Sequence, residues 1–211
     1  MFPSSRPTAI RLKRQIIRAA GICAALLGFS AVPALAAPAA QAPAACEGQT
    51  FSQAFAAFND PNYYTPVPGG EFNSPSEGWG LSNGAQVVEA ERPDGSTGGA
   101  LDMPSGSVAV SPPVCVTLQY PTARAWVRNV EGSEGIAVAV AYVNSKSEDK
   151  PHNVGQVHGQ QSQWTLSNPF NVRPKIAGHE EETREVRFVF VAGGKASDFQ
   201  LFGLQVDPRM R

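Results

Sequence analysis

The sequence predicts an all-β fold, a β-sandwich or jelly roll. Short segments rich in β-branched and aromatic residues recur along the chain, and clusters of Gly, Pro, Asn, Asp and Ser separate them. Helical periodicity is confined to one short segment. Several strands at this spacing are typical of a sandwich or jelly roll. The predicted strands cover residues 87–88, 107–116, 123–130, 135–143, 155–160, 185–191 and 201–206.

The one helical segment covers residues 51–58. Phe51, Phe55 and Phe58 recur at i, i+4 and i+7 and would share one face of a helix. Thr50 and Gln53 have the spacing of a capping box, and the residues 59–61, Asn-Asp-Pro, would end the helix. A helix of fewer than three turns does not stand alone. We therefore expect a short helix docked on the sandwich.

Alternation along two of the predicted strands indicates which faces are buried. Val186, Phe188 and Phe190 fall on one side of their strand, and Glu185 and Arg187 on the other, which predicts one buried and one solvated face. In residues 136–142, β-branched and aromatic side chains alternate with alanines. Both faces of that strand are apolar, so we expect it to be central and covered on both sides.

Residues 1–36 predict export. A basic region is followed by an apolar run over residues 19–35 and by a small-x-small cleavage signal, Ala34-Leu35-Ala36. Glycines, a serine and Pro33 interrupt the run, which disfavours a membrane anchor. Neither Cys23 nor Cys46 directly follows the cleavage signal, which disfavours a lipoprotein. We expect a signal peptide at 1–36, an Ala/Pro linker at 37–45, and one secreted or periplasmic domain at 46–211.

Removal of the signal peptide changes the charge and the cysteine count. Five of the 17 basic residues leave, so 12 face 18 acidic residues and the net charge is −6. This disfavours nucleic acid and anionic membranes as partners. Cys46 and Cys115 remain, and an even pair in an exported chain predicts one disulfide. Free thiols or a metal pair are the alternative.

Catalytic motifs are sparse. Residues 132–135, Gly-Ser-Glu-Gly, resemble a nucleophile elbow, but Glu131 stands where the leading glycine would be, so a hairpin turn is the better interpretation. The three histidines, His152, His158 and His179, lack metal-ligand spacing and are interpreted as surface residues. The acidic residues 180–182 could pair for glycoside hydrolysis, but a solvated charge run is favoured. We expect no enzyme activity.

A binding surface is better supported. Period two places Arg124, Trp126 and Arg128 on one face of the strand 123–130. A tryptophan between two arginines offers a stacking plane and planar donors that suit a sugar ring or an acidic glycan. The alternative is that Trp126 lies in the core and the arginines extend around it to solvent. Trp79 and Trp164 lie in turn-rich sequence and are interpreted as packing residues.

The order of motifs resembles a known fold family. Residues 69–73, Gly-Gly-Glu-Phe-Asn, with Gly78-Trp79 and Leu81 resemble the opening strand of galactose-binding-like jelly rolls and related carbohydrate-binding modules. Residues 111–116 and 120–122 and the closing residues 206–209 resemble a group of uncharacterised secreted bacterial proteins with that fold. The resemblance spans residues 46–211 and implies a galactose-binding-like sandwich.

The resemblance also implies a structural calcium, held by acidic residues near the first strand and in the last. Glu71 matches the first position, and Asp207 lies near the second. Asn73 and Phe202-Gly203 stand where further carboxylates are common. Calcium requires six to eight oxygen ligands, so these replacements argue against the ion, and no other cofactor is predicted.

Together these observations favour a secreted, non-catalytic module that binds carbohydrate or cell-envelope glycan through an aromatic face. The rival function is a structural or protein-interaction domain of the envelope without a sugar ligand.

Overall fold

The structure, a computed structural model, describes Cys46 and residues 48–76, 78–117, 122–143, 150–172 and 183–207. The predicted signal peptide and linker lie outside the described residues. The strands, in chain order, are β1 Thr65–Pro66, β2 Gly80–Ser82, β3 Gln86–Glu91, β4 Thr97–Pro104, β5 Val108–Val110, β6 Val114–Thr117, β7 Thr122–Glu131, β8 Ile136–Tyr142, β9 His152–Val157, β10 Gln160–Gln161, β11 Thr165–Leu166, β12 Phe170–Asn171, β13 Thr183–Ala192 and β14 Asp198–Asp207.

The strands form two sheets, as the sequence predicts. Sheet I has the order β10-β7-β14-β4-β3, with β1 beside β14 and with β11 and β12 beside β7. Sheet II has the order β2-β5-β13-β8-β9, with β6 beside β13. All pairs are antiparallel except β10 with β7. Successive long strands change sheets, from β7 to β8 and from β13 to β14, so the fold is a jelly-roll β-sandwich.

The core lies between the sheets and follows the alternation read from the sequence. Val186, Phe188 and Phe190 are fully buried, while Glu185 and Arg187 are half-buried on the opposite face. The strand β8 lies between β13 and β9, and its Ile136, Val138 and Val140 side chains are buried. Its outward Ala137 and Ala139 are half-buried, so this strand is covered fully on one face and partly on the other.

The predicted disulfide is confirmed. Cys46 and Cys115 are bonded, with their Cα atoms 5.0 Å apart and a sequence separation of 69 residues. The bond ties the start of the described chain to β6. Within the described residues, no helix has the length and apolarity needed to cross a membrane.

The predicted helix over residues 51–58 is wrong except for its last turn. A 3-10 turn covers Ala56–Phe58, and Asn59 ends it in the left-handed region. Ser52 instead forms an antiparallel bridge with Tyr64, and the Gln53 side chain donates to the Pro61 carbonyl rather than capping a helix. The pairing with Tyr64 keeps the first half of the segment extended, and a helix this short has too few hydrogen bonds to compete.

Two further predictions are corrected. Residues 131–135 do not form a hairpin turn, because β7 belongs to sheet I and β8 to sheet II, so the turn carries the chain across the sandwich. The predicted strand 107–116 is two strands, β5 and β6, which pair with β13 on either side of Ser111 and the two prolines. Ser111 donates its backbone N–H to the Phe188 carbonyl, but the Phe188 N–H donates to the Ser111 side-chain oxygen rather than to a backbone carbonyl.

The strand β4, which pairs with both β14 and β3 in sheet I, is not among the predicted strands. Its Gly98 and Gly99 both lie against other parts of the chain. A Cβ atom on Gly98 would lie 2.4 Å from the Arg92 Cζ, and one on Gly99 would lie 1.7 Å from the Phe72 carbonyl oxygen. Glycine inside a strand marks such close approaches.

Candidate functional site

The predicted binding residues Arg124, Trp126 and Arg128 all lie on the outer face of sheet I. The alternate residues of β7, such as Ala125 and Val127, are fully buried between the sheets. The three predicted residues are half-buried and face away from the core. Trp126 is therefore not a core residue. Whether any of the three contacts a ligand stays a prediction.

Arg124 is engaged within the protein. Its Nη1 atom donates to Asp60 Oδ2 at 2.9 Å, and its Nε atom donates to the Ser167 carbonyl at 2.9 Å. Asp60 also accepts the Tyr64 hydroxyl at 2.6 Å. Burial raises the Asp60 pKa, but the hydrogen bonds from Tyr64 and Arg124 outweigh burial, so the pKa of this carboxyl lies below its ordinary value. Burial and the bond to Asp60 raise the pKa of Tyr64 to about 12.

Arg128 begins a row of hydrogen-bonded side chains that runs across sheet I. Arg128 Nε donates to Gln200 Oε1 at 3.1 Å, and Gln200 Nε2 donates to Asp102 Oδ1 at 3.3 Å. Gln86 Nε2 donates to the other carboxylate oxygen of Asp102 at 3.3 Å. The four residues come from β7, β14, β4 and β3, and the register places them side by side. We call Arg128, Gln200, Asp102 and Gln86 the polar row.

Aromatic side chains lie beside the polar row. Trp126 of β7 and Phe202 of β14 are register partners and both face outward. Phe58 packs edge-on against Trp126 with ring centroids 5.0 Å apart, and Trp164 meets Phe202 at 6.4 Å. Phe58 is 50% exposed. We call Phe58, Trp126, Trp164 and Phe202 the aromatic group.

A bulge in β14 supports this arrangement. The register of β14 against β7 shifts between Phe202 and Gln205, and Gly203 there has a φ of 60°. A Cβ on Gly203 would lie 3.5 Å from the Trp126 indole. The bulge thus places Leu204 in the core while Phe202 and Gln205 both face outward.

Trp164 was interpreted as a packing residue, and the structure places it in the aromatic group. It lies in the turn between β10 and β11, its ring stacks under the Arg128 guanidinium at 4.9 Å, and its Nε1 donates to the Glu91 carbonyl at 2.6 Å. Trp79, by contrast, is buried in the core as predicted.

Most of the polar row also escaped the sequence analysis. Alternation along β14 could have placed Gln200 and Phe202 outward, since both flank the buried Leu201. No pattern in the sequence places Asp102, because β4 is not among the predicted strands.

Three carboxylates lie at one end of the candidate face: Asp102, Glu131 and Asp198. Burial, and then the nearby charges of Asp102 and Glu131, raise the pKa of Asp198 above its ordinary value. Both oxygens of Asp102 accept from glutamine side chains. Hydrogen-bonded in this way, Asp102 is held in place as an acceptor.

The remaining catalytic candidates are exposed or lie outside the described residues. His152 and His158 are exposed, as expected of surface histidines. His179 and the acidic residues 180–182 lie outside the described residues. Ser133, the serine of the near-elbow motif, is exposed in the turn between β7 and β8.

The residues at the implied calcium positions do not fit the ion. Glu71 is exposed, and its carboxylate accepts from the Asn73 side chain at 3.3 Å. The Glu71 carbonyl and the Asn73 Oδ1 both accept from the Arg92 guanidinium. The side chain of Asp207 lies outside the description. In the described part of the chain, no three His, Cys, Asp or Glu side chains form a group that could hold a metal.

A pocket of about 370 Å³ lies elsewhere, beside the disulfide, and Gln49, Thr65 and Pro113 are among its lining residues. It shares no residue with the polar row or the aromatic group. The candidate site is thus an open sheet face rather than a closed pocket, and an open face suits an extended ligand better than a small one.

No protein-family model and no curated protein matches the chain. Among solved structures, the chain is similar to a family 16 carbohydrate-binding module, with a TM-score of 0.43 and 14% identity over 66% of this chain and 97% of that one.

Two other similar structures come from Clostridium thermocellum. The carbohydrate-binding and catalytic modules of endo-1,4-β-D-xylanase 10B, complexed with xylohexaose, give a TM-score of 0.47 and 14% identity over 71% of this chain and 29% of that one. A family 11 carbohydrate-binding module, in complex with a β-1,3-1,4-mixed-linked tetrasaccharide, gives a TM-score of 0.39 and 13% identity over 63% of this chain and 90% of that one. At these TM-scores and identities the similarities carry no weight for function, which must be inferred from the chain's own residues.

Proposed function

We propose that the chain is a non-catalytic module that holds a polysaccharide strand against the outer face of sheet I. The observation that carries this proposal is the polar row lying beside the outward-facing pair Trp126 and Phe202. Sugar rings present apolar faces and hydroxyl edges. An aromatic surface next to a line of donors and acceptors matches both.

The polar row has hydrogen-bonding capacity left for a ligand. An arginine has five N–H donors and a glutamine amide has two, so the bonds within the row use only part of what Arg128, Gln200 and Gln86 offer. Asp102 is only 9% exposed, so this capacity belongs to Arg128, Gln200 and Gln86, while both oxygens of Asp102 hold the two glutamines in place. Adjacent strands lie about 4.8 Å apart, so the row repeats one polar group per strand, a regular ladder for the hydroxyls of an extended chain.

Within this proposal, Trp126 and Arg128 contact the ligand, whereas Arg124 is a positioning residue. Arg124 joins Asp60, just after the 3-10 turn, to the carbonyl of Ser167. Phe58 belongs to that turn and packs on Trp126. Arg124 thus holds the segment that supports one side of the aromatic group.

The proposal places the domain outside the cytoplasm. The disulfide between Cys46 and Cys115 supports this location, since such bonds persist in oxidising compartments. The predicted signal peptide points the same way.

Retention on insoluble polysaccharides tests the proposal. The purified domain is incubated with a panel of insoluble plant and bacterial wall polysaccharides, and the bound fraction is compared with that of Trp126→Ala. We expect retention on at least one polymer and a loss of about tenfold or more for Trp126→Ala, in line with the 1–3 kcal/mol typical of stacking on an aromatic ring. Val191→Ala, at an exposed site on sheet II, is the control and should bind normally.

Three outcomes contradict the proposal. Absence of retention on every polymer, or equal retention of Trp126→Ala, would favour the rival function of a structural or protein-interaction domain. Release of reducing sugars that Asp198→Asn abolishes would instead identify a hydrolase.

A further inference from the structure

The side chain of Arg92, directly after β3, is enclosed by oxygen atoms from two other segments. Its Nη2 atom donates to the Glu71 carbonyl at 2.8 Å and to Asn73 Oδ1 at 2.8 Å. The Gly99 carbonyl of β4 lies 3.4 Å from the same nitrogen. In the described part of the chain, no carboxylate forms an ion pair with Arg92, so neutral oxygen dipoles solvate this charge.

The surrounding backbone is shaped for this guanidinium. The Arg92 Cζ lies over the Phe202 ring at 4.7 Å. On another side, a Cβ on Gly98 would come within 2.4 Å of the Arg92 Cζ and 2.5 Å of its Nε. Only glycine at position 98 leaves space for the side chain as it lies. One cation therefore joins the Glu71–Asn73 segment, β4 and β14.

We propose that the Arg92 guanidinium is a built-in cation that takes the place of a structural calcium in this fold. The implied calcium positions are Glu71, Asn73 and Phe202-Gly203. Glu71 now contributes its carbonyl to Arg92, Asn73 its side-chain oxygen, and Phe202 its ring.

The chemistry of the two cations explains the change of ligands. Calcium takes six to eight oxygens, several of them carboxylates. A guanidinium is a planar single charge that stacks on aromatic rings and is weakly hydrated. Neutral oxygens on Nη2 and one aromatic face hold it, although its Nε is buried without a hydrogen-bond partner. The carboxylates that calcium would need are therefore not required.

Calcium dependence is the first test. The melting temperature of the wild-type domain is measured after exhaustive chelation with EDTA and again in millimolar CaCl2. We expect the two values to agree within about 1 °C. Stabilisation of the wild type by calcium, reversed by EDTA, would overturn the proposal.

Removal of the guanidinium is the second test. Because hydrogen bonds to a charged group are stronger than neutral ones, we expect Arg92→Ala to lower Tm by about 4–8 °C in a domain of this size. Lys195→Ala, which removes an exposed positive charge, is the control and should shift Tm by less than about 1 °C. An unchanged Tm for Arg92→Ala would overturn the proposal.

A double-mutant cycle separates this role from general destabilisation. Gly98→Ala should expel the guanidinium from its site without removing it, and should lower Tm by an amount similar to Arg92→Ala. Once Arg92 is alanine, the added methyl group has no Cζ to meet, so Gly98→Ala should then cost little. If the effects of Gly98→Ala and Arg92→Ala on Tm are additive, the glycine is not required to make room for the arginine side chain. If Arg92→Ala does not fold, the Tm of Gly98→Ala and the calcium measurement on the wild type still test the proposal.

Discussion

The indole of Trp164 joins the two edges of sheet I through one hydrogen bond, from Nε1 to the Glu91 carbonyl at 2.6 Å. Trp164 follows β10, which pairs with β7 at one edge of the sheet, and Glu91 ends β3 at the other. The ring also meets Phe202 of β14 on the way. Trp164 therefore crosses the outer face of sheet I at the point where the aromatic group lies.

Loss of this bridge should weaken binding more than folding. Trp164→Phe keeps a ring over Phe202 but removes the Nε1 donor of this hydrogen bond. The Glu91 carbonyl is at an exposed position and can accept a hydrogen bond from water instead. We therefore expect the free energy of unfolding to fall by about 1 kcal/mol, which lowers Tm by about 2–4 °C. Polysaccharide retention should fall several-fold, because the ring is no longer held in place. Retention equal to wild type would place Trp164 outside the binding surface.

The centre of the polar row offers a matched pair of variants. Gln200→Ala breaks the bonds to both Arg128 and Asp102 and should reduce affinity for the retained polysaccharide by about tenfold, or 1.4 kcal/mol. Gln205→Ala changes the same residue type on the outer face of the same strand but outside the row, and should change affinity by less than about twofold. Isothermal titration with a soluble fragment of the polymer measures both. Equal effects would show that the row has no special role.

Asp198 should make stability depend on pH. Burial and the charges of Asp102 and Glu131 raise its pKa in the folded protein. The contribution of such a group to the free energy of unfolding is fully present below its pKa in the unfolded chain, near 3.9. It is lost as the pH rises through its pKa in the folded protein. Asp198→Asn should therefore raise Tm at pH 7 by about 1–3 °C. The two proteins should melt alike near pH 3, and a difference that does not depend on pH would contradict this account.

The disulfide should contribute a large share of the stability. It spans 69 residues, and a loop of this length corresponds to about 4 kcal/mol in the chain-entropy model. Reduction with dithiothreitol, or the double change Cys46→Ser and Cys115→Ser, should lower Tm by about 8–16 °C. A shift below about 3 °C would show that the unfolded chain gains little freedom when the bond is removed. Calorimetry under matched buffer conditions gives the comparison.

The pattern of residues along the chain predicted the features that depend on neighbouring residues, namely strands and the faces that their side chains share. Period-two alternation identified β7 and β13 and the buried face of β13, because the side chains of a strand point alternately to its two sides. It also placed Arg124, Trp126 and Arg128 on one face together. The failures came where a distant contact overrides local preference. Pairing of Ser52 with Tyr64 replaced the predicted helix, and the close approach of Arg92 and Phe72 put glycines into β4.

By itself, the sequence predicted the all-β class, the pairing of Cys46 with Cys115 and the shared face of Arg124, Trp126 and Arg128, since these depend on composition, cysteine count and alternation along one strand. Only the tertiary structure decided that this face of β7 points away from the core and that Gln86, Asp102, Gln200 and Arg128 form one row. Those residues are up to 114 positions apart in the chain (86 to 200), and hydrogen-bonding between strands sets which of them become neighbours. The same holds for Arg92, whose oxygen partners come from the Glu71–Asn73 segment and β4. Strand register, a property of the whole sheet, made a surface from residues that no local pattern connects.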